Sequence, residues 1–245
     1  LAVTTELPGR VQARRTAEVR ARVEGIIQER RFREGSDVKA GDLLFQIDAA
    51  RLQADADAAR ANLARAEADL TQTRLKQKRI VDLLARKSVS QQEYDESLAQ
   101  LQRAQADVDL ARAALTRATI DLEYARVVAP ISGRIGRALV TEGALVGRND
   151  ATHLATIEQL DPIYVNFTQA HGDMLQFSRE RASRQDSGSP DPAVRIRLED
   201  GSFHEQEGRL LFSEMTVDPG TAEVLLRAEV PNPRRLLLPG MFGRV

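Results

Sequence analysis

The sequence predicts a mixed α and β, multi-domain fold. A long antiparallel α-helical hairpin is inserted in a split β-sandwich, and a small β-barrel with one short helix follows. Three observations predict this. From Asp42 to Ala129 there is no glycine or proline, although the rest of the chain holds all 15 glycines and all 9 prolines, the strongest punctuation a chain has. Similar short motifs flank that stretch on both sides. Beyond them, short apolar runs alternate with turn residues, the pattern of a small barrel.

In chain order, residues 1–15 supply the first barrel strand, and 16–47 the first half of the sandwich. Residues 48–122 form the hairpin, 123–157 the second sandwich half, and 158–245 the barrel. Ala2 to Val11 is a strand interrupted by Pro8-Gly9. Val19, Val23, Ile26 and Ile27 follow as β. A polar turn around Gly35 and Gly41 comes next, then the strand Leu43 to Ile47.

The uninterrupted stretch is dominated by Ala, Leu, Gln, Glu, Arg and Lys, which are good helix formers. Its first helix is predicted from Asp48, whose carboxylate can cap free N–H groups, to about Arg86. Leu52, Ala56, Ala59, Leu63, Ala66, Leu70, Thr73, Gln77, Ile80 and Leu84 alternate spacings of four and three, a coiled-coil seam. The second helix opens with Ser90-Gln91-Gln92-Glu93, a capping box. Its seam is Tyr94, Leu98, Leu101, Ala104, Val108, Ala111, Leu115, Ala118 and Leu122, with one phase slip around Ala104. Helices joined by so short a link lie antiparallel. At ~1.5 Å per residue each is on the order of 50–57 Å long.

The flanking motifs repeat. Gly25 answers Gly133, Ile27 answers Ile135, Glu34-Gly35 answers Glu142-Gly143, and Val38 answers Val146, each pair 108 residues apart. Neither half can bury its apolar face alone, so the two are predicted to share one sandwich. Gly35 and Gly143 are structural turn positions that call for positive φ, set against the alternative of plain loop glycines.

The barrel begins with Asp161-Pro162 opening the strand Ile163 to Thr168. A short helix from about His171 to Arg184 offers Met174, Leu175 and Phe177 for one face. Asp186 to Pro192 is a loop. Val194 to Leu198, the turn Glu199-Asp200-Gly201-Ser202 and the return from Phe203 make a hairpin. Leu210 to Phe212, the turn Asp218-Pro219-Gly220, the strand Val224 to Val230, and Met241 to Val245 complete it.

Composition excludes several functions. A net charge of −1 lacks the basic excess of a nucleic-acid binder. No cysteine is present, which excludes disulfide scaffolds, thiol catalysis and cysteine metal sites. No run of ~18 apolar residues spans a bilayer. The chain starts at Leu1, so a targeting signal or anchor lost from either end is compatible with it.

Candidate chemistry is sparse. His153, His171 and His204 show no metal-ligand spacing, and Met174, Met215 and Met241 form no cluster. Gly133-Arg134-Ile135-Gly136 lacks the third glycine and the strand-to-helix setting of a dinucleotide loop. No nucleophile elbow is present. Arg65/Asp69 and Arg103/Asp107 mark solvated helix faces. No catalytic residue, metal or cofactor is expected.

Phe32-Arg33-Glu34-Gly35-Ser36-Asp37-Val38-Lys39-Ala40-Gly41 and Ala129-Pro130-Ile131-Ser132-Gly133-Arg134-Ile135 resemble the two halves of a biotinyl/lipoyl domain. In carriers of that fold a tight turn presents a modified lysine. Here the helices occupy that place and Lys39 does not match, so the resemblance implies no swinging arm. A lipoyl-like domain split by helices and followed by a barrel resembles the periplasmic adaptors, or membrane fusion proteins, of RND-type tripartite efflux pumps. Glu6-Leu7-Pro8-Gly9-Arg10, Val140-Thr141-Glu142-Gly143-Ala144-Leu145-Val146, Gln159-Leu160-Asp161-Pro162-Ile163-Tyr164-Val165 and Leu238-Pro239-Gly240-Met241-Phe242 are similar to that family. The family's membrane-proximal domain and N-terminal lipid anchor are expected to be missing.

The resemblance implies a non-enzymatic, homo-hexameric adaptor in the periplasm. It would be anchored to the inner membrane, joining an RND drug/proton antiporter to a TolC-type outer-membrane channel. Adaptors of ABC-type efflux or type I secretion share the architecture, and a carrier domain with an inserted coiled coil is the rival of another class. Arg79, Leu83 and Ser90 reproduce the spacing of the family's Arg-Leu-Ser tip motif, which implies contact with the channel. Arg79 and Leu83 share a face outside the Ile80/Leu84 seam. Ser90 is also accounted for by helix capping, so it either touches the channel or only shapes the turn.

Overall fold

The structure, a computed structural model, describes residues 6–147, 152–170, 193–198, 201–217 and 223–245, of which 212–217 by backbone only. The predicted helix at His171 to Arg184, the loop Asp186 to Pro192 and the turn at Asp218 to Gly220 lie outside the described residues. The elements are strands β1 (Pro8–Arg20), β2 (Gly25–Arg30), β3 (Asp37–Val38) and β4 (Leu43–Ile47), then helices α1 (Ala50–Ala85) and α2 (Gln91–Tyr124). Strands β5 (Arg126–Val128), β6 (Gly133–Ile135), β7 (Leu145–Val146), β8 (His153–Ala170), β9 (Ala193–Val194), β10 (Gly208–Val217), β11 (Glu223–Val230) and β12 (Phe242–Arg244) follow.

Two long strands carry the architecture. β1 pairs antiparallel with β8 from Gly9↔Phe167 to Arg20↔His153. Around them the sheet order is β12-β1-β8-β11-β10-β9, and β6 joins it through β8. Sequence reading expects a fresh strand after Asp161-Pro162, yet β8 runs straight through both residues. The register shifts between Ala13 and Arg15, and the Asp161-Pro162 peptide is cis. Proline sits where the ladder is interrupted, the place a strand tolerates a missing N–H. The first strand starts at Pro8 and runs through Gly9 and past Val11 to Arg20, so Pro8-Gly9 does not interrupt it; the expected stretch up to Thr5 lies outside the described residues. The alternating buried residues Val11, Ala13, Val165, Phe167, Leu226 and Ala228 put one face of this sheet inward.

The motifs that repeat along the chain pair across the two halves. Gly25 lies opposite Val146, and Val38 lies opposite Gly133. Ile27 N–H donates to Ala144 O at 2.9 Å, and Ile135 N–H donates to Ser36 O at 3.0 Å. Gly143 N–H donates to Ile27 O at 2.8 Å, and Gly35 N–H donates to Ile135 O at 3.0 Å. Each half therefore supplies what the other lacks, related by a local two-fold. Ile27, Ile135, Leu44, Phe45, Ile47, and Ile157 lie in the resulting core. Two small antiparallel groups make it: β5-β4-β2-β7, and β3-β6 against β8.

Gly35 and Gly143 have φ of +69° and +85°, a region that side chains with a Cβ enter at a cost of roughly 1–2 kcal/mol. Gly35→Val and Gly143→Val are each expected to lower stability by more than ~1 kcal/mol. Thermal unfolding checks this, and an unchanged melting temperature in both variants would remove the strained-turn reading.

A short loop between β11 and β12 ties the sheet to this core. Arg235 Nη2 donates to Asp37 Oδ2 at 2.7 Å, a hydrogen bond that raises the pKa of the guanidinium above its usual value. Asn232 is fully buried in the same loop.

Candidate functional site

The helices have 36 and 34 residues, about 54 and 51 Å at ~1.5 Å per residue. α2 runs back along α1. Lys76 Nζ donates to Gln100 Oε1 at 3.4 Å, and Arg112 pairs with Glu67 at 3.8 Å. Every residue of α1 that is not exposed belongs to the heptad seam, and of these Leu52, Ala56 and Leu70 are buried. Leu52 also packs into the sandwich core, which fixes the base of the helix pair. The seam of α2 takes in Ser97, buried at 3% exposure, two turns before Ala104, where the sequence phase slips. Its hydroxyl donates to Tyr94 O at 2.7 Å; a serine satisfied by its own helix can be buried without an unpaired donor.

The base and tip of the pair are capped differently. The sequence expects Asp48 as the first cap. The structure places Ala49 at the N-cap position with no side-chain cap, while Asp48 Oδ1 accepts from Ala50 N–H at 3.0 Å. At the far end, Lys87 N–H donates to Leu84 O at 2.8 Å and Ser88 N–H to Leu83 O at 2.9 Å. That pair of bonds closes a Schellman turn. Lys87 fills the left-handed position at φ 55°, where glycine is usual. Ser90 caps α2, its Oγ accepting from Glu93 N–H at 3.2 Å.

The structure therefore places Arg79, Leu83 and Ser90 within the last turns at one end of the pair. All three are exposed, Leu83 at 41%. Arg79 Nε donates to Leu75 O at 3.3 Å, which lays the guanidinium stem along the helix. Leu75, Arg79 and Leu83 are spaced four apart and so form one outward stripe, about 12 Å long at ~1.5 Å per residue. Leu75, 56% exposed, is a member of this stripe that the heptad spacing does not mark. The available signal was an apolar residue opposite the heptad seam. Arginine beside exposed leucine is a composition suited to protein contact. Gly35 and Gly143 lie in the sandwich turns and not at this end.

The histidines occupy local sites. His153 Nε2 lies 3.1 Å from both Ala155 O and Thr156 Oγ1. His204 is buried, with Nε2 2.9 Å from Pro231 O. His171, Met174 and the side chain of Met215 fall outside what is described. Among the described residues no three His, Asp or Glu side chains gather as a metal site, and no helix is long and apolar enough to cross a membrane.

The chain matches known proteins along its whole length. Residues 15–158 match the description "RND MFP, barrel-sandwich hybrid domain", and residues 162–245 match "RND MFPs, beta-barrel domain". It is 49% identical over 242 residues to the multidrug resistance protein MexA of Pseudomonas aeruginosa, covering 98% of this chain and 60% of that protein. It is 49% identical over 247 residues to the multidrug efflux pump subunit AcrA of Escherichia coli, covering 100% of this chain and 62% of AcrA. The antibiotic efflux pump periplasmic linker protein ArpA of Pseudomonas putida is also 49% identical, over 98% of this chain and 62% of its own length. The chain thus spans about three fifths of the length of these relatives. Among solved structures, a MacA-MexA chimera carrying the Pseudomonas aeruginosa MexA α-hairpin domain matches with a TM-score of 0.66. The match has 23% identity and covers 98% of this chain and 79% of that one. At that identity the likeness concerns the fold. With both of its parts matched, the chain belongs to the RND membrane fusion protein family.

Proposed function

We propose that this protein is a non-enzymatic periplasmic adaptor of a multidrug efflux pump, tethered to the inner membrane. It bridges an RND drug/proton antiporter and a TolC-type outer-membrane channel. The β-sandwich is lipoyl-like, and the helix pair is a hairpin inserted between its halves. Six copies form a funnel whose hairpin tips meet the channel through Arg79, Leu83 and, where it does more than cap α2, Ser90. The domain limits are those read from sequence: 1–15 and 158–245 for the barrel, 16–47 and 123–157 for the sandwich, 48–122 for the hairpin. Gly35 and Gly143 hold the sandwich turns.

The observation that carries this reading is the projecting helix pair with an outward Leu75–Arg79–Leu83 stripe near its end. A single core needs no element of ~50 Å, but a bridge between two membranes does. The names of relatives 49% identical over nearly the whole chain, a "multidrug efflux pump subunit" and a "periplasmic linker protein", support it. The bound groups of a carrier are not needed in this reading.

Drug susceptibility tests the proposal. The protein, expressed from its gene beside its transporter and channel, is expected to raise drug resistance in a strain that lacks an adaptor. No change in susceptibility with all three proteins present in the envelope would contradict it.

A further inference from the structure

The sandwich and the barrel have separate cores. Val19, Ile27, Phe45, Ile135 and Ile157 belong to one, and Val11, Ile163, Val165, Ile196 and Leu237 to another. Strands β1 and β8 run from the first core to the second, and their ladder breaks on the way. Ala13 lies opposite Ile163 and Arg15 opposite Gln159, so Arg14 alone faces residues 160–162 of β8. On one side of the break β11 pairs with β8 from Ile163 onward. On the other side β6 pairs with β8 at Ile157 and Glu158. Each side is held by its own neighbours, and a bulged stretch between them is where paired strands bend.

The β11–β12 loop crosses this break. It is fastened on the barrel side, where Leu237 packs in the barrel core and Asn232 N–H donates to Asp161 Oδ1 at 2.8 Å. Arg235 reaches the other way, to Asp37 Oδ2 at 2.7 Å, and Asp37 lies in β3, which pairs with β6 in the sandwich. The Asp37 hydrogen bond leads in raising the pKa of this guanidinium, and the charge of Asp161 adds to it. Arg235 has φ 54°, and its N–H donates to Asn232 O at 3.0 Å to close a turn. Glycine makes such a turn most easily, so the turn itself does not account for an arginine. What the guanidinium holds does. We propose that Arg235 and Asp37 form a latch across a hinge at residues 14 and 160–162, which sets the angle between barrel and sandwich and opens to let the two cores turn. Because Leu52 seats the helix pair in the sandwich core, this angle is also the direction in which the helix pair points from the barrel. The two side chains are 38% and 55% exposed, and an ion pair so exposed shifts an equilibrium by about fivefold at most. A modest preference of any bound partner for the open form therefore releases it. The latch depends on neither proposed membrane partner and is tested on the protein alone.

Because the chain has no cysteine, spin labels can be placed at Leu145→Cys on the sandwich and Gln206→Cys on the barrel, both exposed. Pulsed electron paramagnetic resonance then reads the distance between them, with unlabelled protein in excess so that only pairs within one copy count. One dominant, narrow distance is expected. Arg235→Gly and Asp37→Ala are each expected to broaden it by raising the open fraction about fivefold, and high salt to act in the same direction. The double variant is expected to broaden it no further than either change alone, as for two groups that act as one pair. Glycine suits the turn at 235, so Arg235→Gly is expected to keep or raise the melting temperature, which separates a latch from a role in folding. A distance as narrow in both single variants as in the unchanged protein overturns the inference. So does a distance already broad in the unchanged protein, or a double variant whose broadening is the sum of the two.

Discussion

Leu83→Ser and Arg79→Asp are each expected to abolish the drug resistance that the proposed adaptor confers, while leaving it folded and able to self-associate. Neither side chain belongs to the seam, and Leu83 is 41% exposed. Its removal therefore takes little from the helix pair itself. Substitutions on an exposed surface usually shift stability by no more than about 0.5 kcal/mol. A buried anchor at a protein contact is worth about 2 kcal/mol or more, which is roughly thirtyfold in affinity. The Arg79→Asp change also reverses charge, adding repulsion wherever the partner surface presents a carboxylate. In the proposed bridge, resistance depends on a continuous path between membranes, so a contact weakened this far reads as loss of function. Drug susceptibility, with a separate pull-down of transporter and of channel, checks it. Full resistance and full channel binding in both variants would show that the tip contact lies elsewhere. Ser90→Ala gives the finer distinction: its capping bond to Glu93 contributes about 1 kcal/mol to helix stability, whether or not the hydroxyl touches a partner.

The largest expected change in stability comes from Asn232→Leu. Asn232 has no exposed surface, and its side chain makes three hydrogen bonds. Nδ2 donates to Leu160 O at 3.0 Å and to Leu237 O at 2.8 Å, and Oδ1 accepts from Leu237 N–H at 3.2 Å. Its own N–H donates to Asp161 Oδ1 at 2.8 Å. These bonds join the β11–β12 loop to the interrupted stretch of β8 and seat Leu237 among Val11, Ile163, Val165 and Ile196. Leucine is similar in size and keeps the backbone bond to Asp161, but its side chain pairs with neither Leu160 O nor the N–H and O of Leu237. Each buried polar group left alone costs about 1–3 kcal/mol, so a loss of roughly 3 kcal/mol or more is expected. Denaturant unfolding followed by a probe in the barrel measures it. A loss under ~1 kcal/mol would mean that the loop is held by its apolar contacts alone.

The helix pair was the most legible part of the chain. A seam of ten positions in α1 was read from spacing, and no other residue of α1 is even partly buried. Heptad spacing fixes a face by geometry alone, so no long-range knowledge is needed. The phase slip in α2 was visible, but not the burial of Ser97, because a hydroxyl reads as polar unless its own helix satisfies it. The repeated Gly-x-Ile and Glu-Gly motifs gave the two equivalent halves. That Gly25 would meet Val146, and Gly133 meet Val38, depends on pairing across the inserted helices, which spacing does not encode. Asp161-Pro162 misled because it is strong local punctuation. The strand continues because its partner accommodates the interruption between Ala13 and Arg15, a tertiary effect. At the tip, Arg79 and Leu83 could be placed outside the seam by counting residues. Leu75 is less legible, because heptad spacing marks the apolar residues of the seam and carries no signal for one opposite it. The role of Asn232 is not legible in the sequence: Pro231-Asn232-Pro233 marks only the end of a strand, and only the surrounding carbonyls make it a buried node.

The central claim is that one protein joins two membrane partners, and it is tested most directly by sequential affinity capture from cells. The transporter is captured first through a tag, eluted, and the channel is captured second. With this protein present, all three are expected in the final eluate. With Leu83→Ser, the protein should remain with the transporter and the channel should be lost. Recovery of transporter and channel together in equal amounts with and without this protein, or its absence from the eluate, would contradict the account.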